Sequence, residues 1–508
     1  MKKTLRFVFS RYTISILLII LEVLQILAVC IAICYFVPYF WILFLITNLA
    51  LVIAIINMKV NPEYKLPWIL VVIFLPPLGA LLFSMFYQRK LTKTEMNNLF
   101  LITSRTNKLR DNQHVIDTIK DEDLKAKQML FYLEKNSNAK ICKNTACIYY
   151  SMGMKMYEAM LSDLRKARNF ILMEYFIIDE GVMWNGILEV LKEKAEEGIE
   201  VKILFDDVGC MRTVSPNYEK VLQGYGIEVY RFAKITAHAL PKHNNRDHRK
   251  IMVIDGEVGY TGGMNLADEY INEKEKCGVW KDGGIRLDGE AVNALTLMFL
   301  ESWDLTSKQR TKYQHYLVEK QEFVSDELFV PFGDAPKPFY QDNVAKNVIE
   351  TIINQANKYV YIMTPYLIID SELTNSIINA SKRGIDVRII TPCIPDKKII
   401  QTMTRSSYKQ LMEAGVKIYE YKPGFIHSKV FLADDEIGVV GTVNLDYRSL
   451  THHFENAVYI YKAKVLEDIK TDFYETFIES ILVDGEYLKE GLFKKIMRVL
   501  VKVFSPLL

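Results

Sequence analysis

The chain has 508 residues and a mass of 58.9 kDa, which excludes a single small module and requires either two core-bearing units or one large repeated unit. Half of the residues are hydrophobic, which excludes intrinsic disorder, and 63 Lys+Arg against 61 Asp+Glu leave a formal +2, without the basic excess of a dedicated nucleic-acid binder. The seven cysteines (30, 34, 142, 147, 210, 277, 393) are odd in number and lack CxxC spacing, which argues against a disulfide framework or structural zinc and suits a reducing compartment.

Residues 1–90 hold three apolar stretches and read as a membrane region. Thr13 to Phe36 and Tyr39 to Met58 each carry enough apolar residues to cross a hydrocarbon layer as helices, with Glu22 the one charge inside either. The first runs past the apolar core of a signal peptide and lacks an A-x-A cleavage site. Leu66 to Tyr87 is the third, interrupted by Pro76, Pro77 and Gly79. Lys2, Lys3, Arg6 and Arg11 favour a cytoplasmic N-terminus, and Arg89, Lys90 and Lys93 favour the same side for the chain beyond the third stretch. Two crossings, a re-entrant or interfacial third stretch, and a cytoplasmic remainder satisfy both sets of charges.

Beyond Lys90 charged helical patterns such as Asn185 to Glu197 alternate with short β-branched runs such as Val201 to Phe205, the patterning of an α/β fold. The plan occurs twice. Glu197-Gly198-Ile199-Glu200 precedes Val201 to Phe205, as Arg383-Gly384-Ile385-Asp386 precedes Val387 to Thr391, and Gly226 to Tyr230 resembles Gly415 to Tyr419. The halves are expected at 91–325 and 326–490, with a basic segment at 491–508.

The strongest signal closes each half. His248-x-Lys250, Asp255, Gly262-Gly263 and Asn265 are matched by His427-x-Lys429, Asp434, Gly441-Thr442 and Asn444, at a constant offset of 179 residues from His248 to His427. On a strand, a His and a Lys two apart share one face while the apolar run after them enters the core. Two such copies supply two imidazoles, two ammonium groups and two amides, a set suited to a phosphodiester. Cations and amides would hold the phosphoryl oxygens while the imidazoles occupy opposite ends of the line of displacement.

This duplicated H-x-K-x4-D-x6-G-[G/S/T]-x-N pattern resembles the paired HKD motifs of the phospholipase D superfamily, and with the apolar N-terminus it resembles the bacterial cardiolipin synthases in particular. The likeness extends through Leu66-Pro67-Trp68, Glu174-Tyr175-Phe176, Pro365-Tyr366, Asn444-Leu-Asp446-Tyr-Arg448-Ser449 and Phe454-Glu455. It implies a pseudo-twofold pair of phospholipase D-like α/β/α domains preceded by N-terminal transmembrane helices, in a multi-pass protein of the bacterial cell membrane with a cytoplasmic catalytic part. It also implies phosphatidyl transfer between two phosphatidylglycerol molecules, giving cardiolipin and glycerol through a phosphatidyl-histidine, without metal or cofactor.

By the same resemblance the catalytic set is His248, Lys250, Asp255, His427, Lys429 and Asp434, with His248 as nucleophile and His427 as acid/base. Asn265 and Asn444 join the lysines on the phosphate, and Glu455 and Asp282 orient the imidazoles. Asp255 and Asp434 read mainly as holding the turn rather than as acids. The sequence departs from the pattern at Gly263, where a hydroxyl residue is usual, and at Gly283-Gly284, where a Thr-His pair is expected.

The other histidines, 114, 238, 243, 315, 452 and 453, lack the pattern and read as surface or loop residues. Lys494, Arg498 and Lys502 recur every fourth residue, consistent with an interfacial helix drawn to anionic lipid or with a terminal helix packed on the domain. Rival functions are an HKD nuclease, which would need a basic groove, a hydrolytic phospholipase D or a transferase with another acceptor, and a non-catalytic scaffold.

Overall fold

The computed structural model describes residues 39–75, 78–87, 92–109, 123–137, 139–235, 245–318, 327–485 and 501–507, with isolated positions between Leu17 and Tyr35, Ile116 and Tyr487. The first apolar stretch for the most part, the Pro76-Pro77 pair, His114, His238, His243 and residues 491–500 lie outside the described residues. Two compact units form, one from Met1–Lys90, Lys234–Asn244 and Val499–Leu508, the other from Leu91–Ala233 and Asn245–Arg498.

In the smaller unit the second apolar stretch is a helix, Phe40–Ile56, of 17 residues. Ile42, Leu45, Ile46, Leu49 and Ile53 along it are each more than half exposed. Pro62–Phe74 comes next, started by Asn61, whose side chain accepts the Glu63 N–H at 3.0 Å, and by Pro62 in the first turn. The third stretch is therefore two helices, Pro62–Phe74 and Leu78–Phe86, broken where the sequence places its prolines. Trp68, Val72, Ile55 and Phe83 form the apolar contact among them, with Trp68 edge-on to Phe83 at 5.4 Å. The described chain end, Ser505–Leu507, packs against Pro62–Phe74. Among the described residues no helix is long and apolar enough to cross a membrane.

The larger unit contains two large sheets built to one plan, together with two two-stranded pairs. The first half supplies β1 (Thr145–Tyr150), β2 (Phe170–Tyr175), β3 (Glu200–Asp206), β4 (Glu228–Phe232), β5 (Ile251–Ile254), β6 (Val258–Gly262), β7 (Val279–Lys281) and β8 (Gly284–Gly289). The second supplies β9 (Leu328–Asp334), β10 (Tyr359–Met363), β11 (Leu367–Ile368), β12 (Asp386–Pro392), β13 (Lys417–Tyr421), β14 (Gly424–Ile426), β15 (Val430–Ala433), β16 (Ile437–Gly441), β17 (Leu445–Asp446), β18 (Glu455–Tyr461) and β19 (Ser480–Leu482). The large sheets run β1-β8-β6-β5-β2-β3-β4 and β19-β13-β12-β10-β15-β16-β18-β9, and the two-stranded pairs are β11-β17 and β14-β7.

In each sheet three parallel strands, β2-β3-β4 or β10-β12-β13, are extended by the antiparallel pair β5-β6 or β15-β16. The parallel strands are joined through helices such as Val182–Glu196 and Ser371–Lys382, as crossover geometry requires. β15 and β16 lie at the same 179-residue offset from β5 and β6 as the motifs that flank them. One element departs from the linear order of the halves. Helix Leu124–Ser137 precedes β1, yet its Ala126, Met129, Leu130 and Leu133 enter the core of the second sheet beside Leu328, Val330 and Val344.

Asp255 and Asp434 end β5 and β15 with φ of 55° and 58°. The Asp255 carboxylate accepts the backbone N–H groups of Arg168, Asn169 and Phe170 at 2.8, 2.6 and 2.9 Å. Asp434 does the same for Asn357, Lys358 and Tyr359 at 2.7, 2.7 and 3.0 Å. Each aspartate thus fastens the turn after one strand to the start of the antiparallel strand beside it, β5 to β2 and β15 to β10. Asp255→Ala orphans three donors and is expected to cost about 2–3 kcal/mol in a denaturant unfolding curve, while Asp255→Asn, which keeps the Oδ1 acceptor, costs about 1 kcal/mol. An unchanged midpoint in both variants would contradict this role.

Candidate active site

The two motif copies come together because each borrows its backbone partner from the other half. His248-x-Lys250 and His427-x-Lys429 sit just ahead of β5 and β15 rather than inside them, which differs from the strand expected of the sequence. The reason lies in their hydrogen bonds. His248 N–H donates to Phe454 O at 2.9 Å and His427 N–H to Lys281 O at 2.7 Å, so both histidines pair across the halves, while Lys429 O also accepts Gly441 N–H of its own half at 3.3 Å. The bridge Asp247–Phe454 and the parallel pairing of β14 with β7 extend the two junctions.

Each acceptor carbonyl belongs to the residue preceding a carboxylate, and that carboxylate receives the same imidazole. His248 Nδ1 lies 2.9 and 3.0 Å from the two oxygens of Glu455, and His427 Nδ1 lies 2.5 Å from Asp282 Oδ2. The two acids named from the sequence therefore both reach the site, each serving the histidine of the opposite half.

Both are fully buried, and their supports differ. Glu455 also accepts hydroxyl hydrogen bonds from Thr442 and, at 2.7 Å, from Ser449, whereas Asp282 Oδ1 accepts Gly283 N–H at 2.8 Å. Gly263 explains the contrast, since a Cβ there would lie 2.3 Å from Asp282 Oδ1. One half uses a longer acid with a threonine, the other a shorter acid with a glycine.

Burial sets the charges. Loss of solvent moves His248 down to about 3, with Glu455 opposing and Lys250 assisting, and moves His427 down to about 4, assisted by Lys429. Both rings are therefore neutral near pH 7, and with Nδ1–H given to a carboxylate the free lone pair is on Nε2. Burial raises the Glu455 carboxyl, but His248 and the hydrogen bonds it makes more than reverse this and hold it below the usual carboxylate range. Lys250 is pushed down to about 7 by burial, Lys429 opposing its charge, and Lys429 is pushed down to about 8 by burial. Each lysine folds back onto the carbonyl of its own motif histidine, Lys250 at 2.5 Å, and Lys429 Nζ also lies 2.8 Å from His427 Nδ1.

The remaining motif residues are not equivalent. Asn265 is engaged locally, its Oδ1 accepting Ile177 N–H at 3.1 Å and its amide donating to Tyr270 OH at 2.6 Å. Asn444 Oδ1 is buried with no hydrogen-bond partner. Asp255 and Asp434 follow the far ends of the short strands that the His-x-Lys pairs precede, roughly 17 Å along the chain from Lys250 or Lys429 at strand rise. Their carboxylates are occupied by backbone.

His453, which reads from sequence as a surface or loop residue, is instead beside His248. Their ring centroids are 5.5 Å apart, the His453 side chain is 11% exposed, and its Nδ1 is 3.7 Å from Glu455 Oε1. Its neighbour His452 is turned inward as well, moved down to about 3 by burial and Arg448, whereas His315 is exposed. Phe176 stands edge-on to His248 at 5.2 Å and Tyr270 edge-on to His427 at 5.4 Å. The signal for His453 is its place two residues before Glu455, the same step that separates Trp280 from Asp282.

Among the described residues, three ligand-type atoms converge at His248, His453 and Glu455, and at Glu350, Asp370 and Glu372. In the first group the Glu455 oxygens already accept from His248, Thr442 and Ser449, and in the second the Lys346 ammonium lies 2.5 Å from Asp370.

The sequence matches the family described as "Cardiolipin synthase, PLD-like domain" over residues 160–303 and 349–477, each stretch holding one motif copy, and "Phospholipase_D-nuclease N-terminal" over 46–86. The chain belongs to the cardiolipin synthase family of phospholipase D-like proteins. It is a phosphatidyltransferase of that superfamily. It is 32% identical over 456 residues to a protein named cardiolipin synthase in Staphylococcus aureus, covering 87% of this chain and 90% of that one. It is 32% identical over 461 residues to another of that name in Alkalihalophilus pseudofirmus, covering 88% and 90%. An uncharacterized protein of Streptococcus mutans is 41% identical over 461 residues, covering 90% and 99%. The fold is similar to that of phosphatidylserine synthase from Haemophilus influenzae, with a TM-score of 0.58 and 16% identity over 76% of this chain and all of that one.

Anion binding should report the two lysines. Sulfate keeps its charge between pH 6 and 9, whereas Lys250 and Lys429 lose theirs as pH rises through about 7 and about 8. Sulfate affinity of the full chain in detergent, measured calorimetrically, is expected to fall about tenfold or more from pH 6 to 9. Lys250→Met should weaken it at pH 6 and remove the lower step. A flat profile would contradict the assignment.

Proposed function

We propose that the enzyme transfers a phosphatidyl group between two phosphatidylglycerol molecules, giving cardiolipin and glycerol. The observation that carries this reading is the pair of buried imidazoles, each fixed at Nδ1 by a carboxylate from the other half and each left with a free Nε2. A phosphodiester between them meets a nucleophile on one side and an acid on the other.

In the first step Nε2 of His248 attacks phosphorus and the bond to the headgroup glycerol breaks. His427, protonated once the anionic lipid is bound, gives its proton to the departing oxygen. A hydroxyl of the second phosphatidylglycerol then loses its proton to His427 and attacks the phosphatidyl-His248, forming cardiolipin and restoring the imidazole. Lys250, Lys429 and Asn444 hold the phosphoryl oxygens, while Asn265 acts chiefly through the loop it fixes. Glu455 and Asp282 keep the tautomers and stabilise each imidazolium as it forms.

Membrane attachment through the N-terminal apolar stretches fits two lipid substrates, and the exposed aliphatic side chains of Phe40–Ile56 support it. Two crossings with the larger unit in the cytoplasm remain the proposed arrangement.

Purified full chain given phosphatidylglycerol labelled in its headgroup is expected to release glycerol and form cardiolipin. Phosphatidic acid as the main product would indicate a hydrolase, and no turnover a scaffold. His248→Ala and His427→Ala should each lower turnover by about 10³-fold or more, and unchanged turnover in either refutes the assignment. With a phosphatidyl ester of p-nitrophenol, which needs no proton to depart, His427→Ala should still form an adduct on His248 that survives detergent denaturation at mildly alkaline pH and is lost in acid, and His248→Ala should form none.

A further inference from the structure

Two ring nitrogen groups at the site are buried and without a hydrogen-bond partner, and the internal repeat relates them. Trp280 Nε1 is one and the imidazole of His453 is the other, both of its nitrogens included. Each ring lies two residues before the carboxylate that orients the opposite histidine. Trp280 is 5.6 Å from His427 with an interplanar angle of 39°, and His453 is 5.5 Å from His248 with the same angle of 39°. Two halves of different sequence thus place a ring in the same attitude against each motif imidazole, and both leave its N–H unanswered.

A buried donor without a partner costs free energy and persists where a ligand completes it. Glu455 is not that partner for His453. Its oxygens are taken by His248, Thr442 and Ser449, and its nearer oxygen is 3.7 Å away, beyond hydrogen-bond reach. The pairing of an indole with an imidazole identifies what the ligand offers. An imidazole can donate or accept, an indole can only donate, so what the two positions share is N–H donation. The ligand group common to both is an acceptor, and between two neutral imidazoles and two lysines it is an oxyanion.

We propose that His453 and Trp280 are substrate-binding residues that donate their ring N–H groups to non-bridging oxygens of the phosphoryl group, adding a pair of uncharged donors to the two motif lysines. This deepens the phosphatidyl-transfer reading and rests on it only for the identity of the lipid. His453, alongside His248, contacts the phosphoryl group during and after attack, and Trp280 contacts it from the side of His427. Sequence motifs do not mark either residue, since both precede the orienting acids rather than follow the motif histidines.

The test uses sulfate, an acceptor-only tetrahedral oxyanion, titrated calorimetrically into the full chain in detergent at pH 6. His453→Phe keeps a ring and removes the nitrogens, and is expected to weaken sulfate about tenfold, while His453→Gln, which restores an N–H near Nε2, stays within about threefold of wild type. Trp280→Phe carries the same expected loss as His453→Phe. Wild-type affinity in the two Phe variants, or equal weakening in His453→Phe and His453→Gln, overturns the proposal. An unchanged unfolding midpoint accompanies the expected loss, and a lowered midpoint with loss in all variants assigns the residues to packing instead. Turnover of labelled phosphatidylglycerol is the second arm. A fall in kcat/KM that tracks the sulfate series places the lipid phosphate there, and unchanged turnover assigns the donors to a free anion. Because sulfate binding needs no lipid chemistry, a chain that binds it through His453 yet makes no cardiolipin would overturn the proposed reaction and leave the oxyanion contact standing.

Discussion

The site depends on burying two carboxylates that each belong to one half and serve the other. Glu455 and Asp282 are fully buried, and an ionised carboxylate in that position is tolerated only when hydrogen-bonded and paired. Glu455 finds its imidazole partner across the junction, as does Asp282. Separating the halves would leave the acids without those imidazoles and break the backbone bonds of His248 and His427 to Phe454 and Lys281. Orientation of the two imidazoles and docking of the halves are therefore one interaction. The motif glycines act within each half instead, because a Cβ at Gly262 or Gly441 would sit 2.3 or 2.4 Å from the carbonyl of Gly283 or Asn456 on the neighbouring strand side of the same half.

Duplication has been followed by divergence. The same backbone plan carries Glu455 with Thr442 in one junction and Asp282 with Gly263 in the other, and His453 in one place with Trp280 in its counterpart. The amides have parted too, Asn265 being tied to Ile177 and Tyr270 while Asn444 Oδ1 has no partner. A strictly symmetric site could not tell attacking from departing group. These differences give the two imidazoles, and so the two ends of the proposed displacement, unlike surroundings.

Much of this is legible in the sequence because it is local. The α/β pattern, the strands at Val201 to Phe205 and Val387 to Thr391, the 179-residue offset and the eight motif residues come from spacing, and family resemblance supplies both orienting acids. Spacing does not reveal which chain segment lies opposite. Crosswise pairing of Glu455 with His248 depends on how two sheets dock, and entry of helix Leu124–Ser137 into the second core is likewise non-local. His453 lies in the loop after a short helix, as read from sequence, but that loop is turned inward because the next strand begins at the site with Glu455. Placing the His-x-Lys segments inside strands fails for a related reason, since the N–H groups of His248 and His427 bond to the opposite half.

The apolar N-terminal region is legible in composition and less so in architecture, where the proline-bearing stretch becomes two helices packed through Trp68 and Phe83. Crosswise orientation of the imidazoles is the central claim, and histidine-selective ¹⁵N NMR of the full chain in micelles reads it directly. The Nδ1–H signal that His248→Ala abolishes should move in Glu455→Gln and stay in place in Asp282→Asn, and the signal that His427→Ala abolishes should do the reverse. If each substitution instead moves the signal of the histidine in its own half, the two halves do not share their carboxylates and a single shared site does not exist.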